Sequence, residues 1–121
     1  MEVPLLTEEN EPIAEMNTLD QLILARFKEK VSEKLPLRRM ILFGSRAKGD
    51  ADPGSDMDVI VVLEDPVESE DENWVSECAW EAGFEHGIVV APITFSRKEW
   101  EEGPERYSLL ALAAERDGIT L

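Results

Sequence analysis

The chain has 121 residues, 27 of them acidic and 12 basic, for a formal net charge of −15 with a single histidine. That length suits one domain built on one core. The acidic balance argues against a nucleic-acid partner, which selects for a basic stripe, and a lone cysteine, Cys78, excludes an internal disulfide and a cysteine-rich zinc site.

Residues 1–17 are polar and acidic and carry Pro4 and Pro12, so a flexible acidic tail is predicted ahead of a single domain over 18–121. Leu5, Leu6 and Ile13 give that tail the means to dock on the domain or on a second copy, which leaves room for an oligomer. The first residues show neither a basic start nor a long apolar stretch, so a signal peptide is not expected. No apolar run approaches a membrane span, so no membrane contact is expected and the chain reads as cytoplasmic.

Thr18 and Gln21 read as a capping box. Leu19, Leu22, Ile23, Phe27, Val31 and Leu35 follow as an apolar helical stripe, closed by Pro36. The apolar run Met40 to Phe43 is too short for a helix and stops at Gly44, so a buried strand is predicted over about 39–43. A short helix is expected near 45–48. The loop 49–55 contains Asp50 and Asp52, read as turn residues rather than metal ligands. Val59 to Leu63 is β-branched and follows the turn signal Asp52-Pro53-Gly54, which makes a second strand.

A helix is predicted over 70–82, with Trp74, Val75, Cys78, Ala79 and Ala82 on one face and Trp80 off it. Cys78 then reads as a small buried hydrophobe rather than a nucleophile, and the exposed Trp80 as a weak hint of a partner surface. Gly83 is taken to stop this helix. A third strand follows over 86–94, with Pro92 placing it at an edge or near a break in pairing and His86 read as a strand-start residue. Ser96 and Glu99 predict a capped short helix. A last helix over 104–117 places Tyr107, Leu110, Leu112 and Ala114 among its apolar positions. Gly118 is its cap, with a terminal extended segment after it.

The chemistry concentrates between Met40 and Glu64. Residues two apart on a strand face the same side, about 6.5 Å apart, so Asp56 and Asp58 project together at the start of a buried strand. Two such carboxylates repel, and a hard divalent ion such as Mg²⁺ relieves that cost while taking phosphate oxygens as further ligands. The Gly44-Ser45 turn supplies the complement, because glycine admits a ligand close to the backbone and successive N–H groups there can hold phosphate. Metal on one side and a phosphate cradle on the other describe a nucleoside triphosphate site. Gly44 to Gly49 has the outer spacing of a P-loop, but Asp50-Ala51 stands where Lys-Ser/Thr is required, and no G-x-G-x-x-G motif occurs.

Gly44-Ser45-Arg46-Ala47-Lys48-Gly49-Asp50 followed by Ser55-Asp56-Met57-Asp58 resembles the signature of the DNA polymerase β nucleotidyltransferase superfamily, closest to its minimal nucleotidyltransferase branch. The resemblance implies an α/β (α+β) fold with a small mixed sheet and helices packed on one side. It implies that Asp56 and Asp58 are catalytic and bind Mg²⁺ in a one- or two-ion site. It also implies that Gly44, Ser45, Arg46 and Lys48 bind the phosphates of a nucleoside triphosphate such as ATP. The superfamily pattern has a third carboxylate on the neighbouring strand. The stretch 88–93 has no acid, and Val89 stands at the equivalent position by pattern. Three readings follow: an enzyme transferring a nucleotidyl group such as AMP to a protein or small molecule, a weak or inactive nucleotide-binding module, or a fold without ligand. The module would act beside a separate HEPN-type helical partner, as toxin and antitoxin.

Charge is unevenly spread. Between Arg26 and Lys48, eight basic residues meet only Glu29 and Glu33, whereas Glu64 to Glu85 holds nine acids and no base. Both runs read first as solvated helix faces; the sharper alternative is that the basic one receives a triphosphate and the acidic one a basic partner.

Overall fold

The computed structural model describes residues 16–48, 54–104 and 108–121, so the predicted tail up to residue 15, Asp50, Asp52 and Tyr107 lie outside the described residues. The two apolar runs pair as the central strands, β1 (Leu37–Phe43) and β2 (Met57–Leu63), antiparallel with Phe43 opposite Asp58. β3 (Val90–Ser96) joins β2 in parallel, and the two-residue β4 (Ile119–Thr120) closes the other side, giving the order β3-β2-β1-β4. Pro92 therefore sits on an edge strand, where its missing N–H breaks no ladder.

Four of the five described helices carry the packing. α1 (Thr18–Ser32) precedes β1, while α2 (Ser45–Lys48) is a single turn after it. α3 (Ser69–Phe84) crosses from β2 to β3, and α4 (Arg97–Glu102) and α5 (Leu109–Asp117) follow β3. No described helix is long and apolar enough to cross a membrane.

The helices cover both faces of the sheet rather than the one expected. Ile23, Phe27 and Val31 of α1 and Val75, Cys78 and Ala82 of α3 pack on Met40, Leu42, Met57, Val59, Val61 and Leu63. Trp100 of α4 and Ala111 and Ala114 of α5 cover Ile41, Ile60 and Val62 on the opposite face. The physical reason is in β1 and β2 themselves. Their apolar runs do not alternate with polar residues, so either face left open would strand aliphatic surface in water, at about 1.5–3 kcal/mol per side chain.

Local details shift the predicted boundaries. Asn17, not Thr18, caps α1, its side-chain oxygen accepting from the N–H groups of Leu19 at 2.7 Å and Asp20 at 3.3 Å. Gln21 instead donates to the Met16 carbonyl at 2.8 Å. On the buried face of α1, Leu24 joins Ile23, Phe27 and Val31, while Leu22 is 55 % exposed. Gly83 lies within α3 instead of ending it, and glycine is needed there because a Cβ would run into the Ile88 carbonyl oxygen. The reversal falls at Gly87, whose φ of +68° suits glycine. The Ser96–Glu99 capping box of α4 is present in both directions, at 3.0 and 2.9 Å.

Candidate active site

The end of β1 and the start of β2 meet because the strands are antiparallel. Gly44 follows Phe43, the register partner of Asp58, and turns with φ +80° into α2, where the Ala47 N–H donates to the Gly44 carbonyl at 3.1 Å. A Cβ placed on Gly44 would stand 2.8 Å from Oδ2 of Asp58. The bend and the carboxylate thus face each other across a space that only a side chain of one hydrogen leaves open. Ser45 begins α2 and Lys48 ends it.

Asp58 is half-buried at the start of β2 and Asp56 is exposed just before the strand. Burial raises the Asp58 carboxyl above the ordinary aspartate range, and the neighbouring Asp56 charge adds to the rise. No described side chain forms an ion pair with either. Two oxygen-donor side chains, set close and repelling, are a donor set suited to a hard divalent cation that completes its shell with phosphate and water. Among the described residues no cluster of three or more histidine, cysteine or acidic side chains could hold a metal. On β3, Ala91 is the register partner of Asp58, and the Val89 carbonyl accepts the Met57 N–H at 2.8 Å. The positions beside the pair are therefore Val89, 59 % exposed just before β3, and Ala91 on it, neither of them acidic.

Arg46 is placed differently from the other motif residues. Its Nε donates to the Ser55 carbonyl at 2.8 Å, and its terminal nitrogen pairs with Oδ1 of Asp20 at 2.8 Å. The two side chains are only 6 % and 12 % exposed. Sequence reasoning passed over Asp20, which sits in the first turn of α1, where an acid is unremarkable beside the helix dipole. Its one available signal is its place beside the buried Ile23 and Leu24 on the inward face. His86 lies in the turn after α3, away from any strand start, its backbone N–H on the Gly83 carbonyl. Cys78 is buried, and burial pushes its thiol up to about 11, which suits packing rather than attack.

With that geometry in place, the likenesses to other proteins are informative. The family model described as a nucleotidyltransferase domain matches residues 24–108. A candidate protein adenylyltransferase of Methanocaldococcus jannaschii is 31 % identical over 77 residues, spanning 62 % of this chain and 78 % of that protein. A chain from a crystal structure of a toxin–antitoxin with AMP-PNP superposes with a TM-score of 0.54 at 18 % identity. It covers 79 % of this chain and 69 % of its own length, a likeness of fold.

Proposed function

The chain belongs to the nucleotidyltransferase domain family, and from that membership we propose that it binds a magnesium-bound nucleoside triphosphate, ATP by preference, and transfers the nucleotidyl group to a protein or small-molecule acceptor. The observation that carries this reading is the approach of Asp58 to the Gly44 bend. Asp56 and Asp58 would hold the metal, which when bound offsets charge on the triphosphate and on the departing pyrophosphate. The backbone N–H groups at Gly44 and Ser45 and the Ser45 hydroxyl receive the β- and γ-phosphates. Gly44 keeps the gap wide enough for them. Lys48 is assigned a phosphate contact; Arg46 reaches the site through its neighbours. A single domain over 18–121 and a cytoplasmic setting complete this reading. The name of the Methanocaldococcus relative favours AMP as the group transferred and a protein as the acceptor.

Titration calorimetry with Mg-ATP tests the binding half, and labelled pyrophosphate release on adding an acceptor tests transfer. Binding that survives the paired Asp56→Asn and Asp58→Asn changes contradicts the reading. A second reading, a weak or inactive module working with a helical HEPN-type partner, is favoured by two observations. Neither Val89, just before β3, nor Ala91 on it offers the acceptor a carboxylate base. Trp80 and Phe84 stack with centroids 4.4 Å apart on the outer face of the acidic α3, each 63 % exposed, an aromatic pair of the kind found at partner surfaces. The toxin–antitoxin likeness is consistent with it. Mg-ATP binding without pyrophosphate release in the presence of the partner would select this second reading.

A further inference from the structure

We infer that Asp20 is a positioning residue: through Arg46 it sets the spacing between the Gly44 bend and the Asp56/Asp58 pair. This rests on the triphosphate-site reading above. Arg46 stands two residues after Gly44, on α2, and its Nε holds the carbonyl of Ser55, the residue immediately before Asp56. One guanidinium therefore ties together the two walls of the gap. Asp20 then fixes the guanidinium from a third segment, α1, which Ile23, Leu24 and Phe27 root in the core. The triangle is rigid because each corner belongs to a different element and none can shift without breaking a charged hydrogen bond.

The energetics favour a positioning role over a purely stabilising one. Burying an ion pair costs desolvation that a hydrophobic pair would avoid, so such a pair is weak evidence for stability as such. The planar fork of arginine suits the double task, one edge for a carbonyl and another for a carboxylate, and a lysine point charge does not. A direct phosphate contact would instead need the guanidinium to turn out of a place where it is 6 % exposed and already engaged on two sides.

The test uses the whole chain and four variants: Asp20→Asn, Arg46→Lys, the double of these two, and Asp20→Glu. Two readouts are taken: Mg-ATP affinity by calorimetry, and hydrogen exchange of the Ala47 and Met57 amides without ligand. Losing a partner that orients a ligand set typically costs about ten- to a hundredfold in affinity, so the Asp20→Asn change is expected to weaken Mg-ATP by roughly that much while the protein stays folded. Asp20→Glu should recover part of that loss. Arg46→Lys should weaken binding comparably, and the double variant should be no worse than the weaker single, because all three break one strut. Exchange at Ala47 and Met57 should quicken in each. If Asp20→Asn fails to fold, Arg46→Lys decides, since it keeps a charge for Asp20 and gives up the Ser55 bond. Unchanged affinity and unchanged exchange in a folded Asp20→Asn protein overturn the inference. So does a change confined to the melting temperature, or Arg46→Lys binding as well as wild type. Should the wild-type protein bind no Mg-ATP, the functional reading fails by itself. The exchange arm then still decides whether Asp20 holds the two walls.

Discussion

The two ends of β2 treat negative charge in opposite ways. Past its C-terminal end, Glu64 and Asp65 join Glu101 and Glu102 in a network around Arg38 and Arg97, with Arg38 Nε on Glu101 at 2.6 Å. There each charge finds an opposite: the Arg38 bond holds the Glu101 carboxyl below its ordinary range, and Glu101 in turn raises Arg38. At the N-terminal end Asp58 has burial on one side and a like charge on the other, and its carboxyl is pushed up. The same residue type is settled at one end and under tension at the other. What separates the two ends is the company each acid keeps, and the tension at Asp58 is what a cation bound at the proposed site would release.

The comparison can be broken most sharply at the carboxylates. Asp58→Asn is expected to lower Mg-ATP affinity by about a hundredfold or more, since the metal loses an anionic ligand. Glu101→Gln, at the settled end, should leave that affinity unchanged; calorimetry on both variants decides. Next in size is Gly44→Ala. A methyl there meets the Asp58 carboxylate at 2.8 Å and must adopt φ +80°, at a cost of about 1–2 kcal/mol in stability, readable in urea melts. Its larger effect should be at least about tenfold on Mg-ATP binding, because the methyl fills the phosphate gap.

A smaller effect concerns pH. In the unfolded chain Asp58 ionises in the ordinary range, and in the folded protein it ionises higher. Above the ordinary range the native state therefore holds the proton more tightly than the unfolded state, and stability falls as pH rises through the folded value. Asp58→Asn should accordingly melt higher than wild type at neutral pH without metal, with the gap closing below the ordinary aspartate range. A lower neutral-pH melting temperature for the variant would show that Asp58 is not under tension. Smallest is the effect of Arg38→Gln. Its ion pairs are solvent-exposed, so melts should show a slight loss of stability that fades in high salt.

How much of this was legible in the sequence follows from which interactions are local. The two central strands and the Ser96 box depend on short-range alternation and turn chemistry, and they could be read directly, whereas Asp56 falls just before β2 and β3 begins at Val90, four residues after His86. Ile23, Phe27 and Val31 of the α1 stripe are buried as their spacing implies, but Leu24 rather than Leu22 joins them, a choice set by how α1 packs on the sheet and not by local spacing. Helices on both faces were foreshadowed by unbroken apolar runs in β1 and β2, but only the register shows which residues face which way. Arg46 could not be assigned from its motif, since its partners Asp20 and Ser55 come from other segments. Asp20 itself carried no mark beyond an apolar neighbourhood.

A crystal of the protein grown with Mn²⁺ and AMP-PNP, read by anomalous scattering, tests the central claim most directly. The account predicts an anomalous peak bridging Asp56 and Asp58 to the phosphates, with the β- and γ-phosphates against the Gly44–Ser45 backbone. Nucleotide bound elsewhere, or seated there with no metal between the two carboxylates, would contradict it.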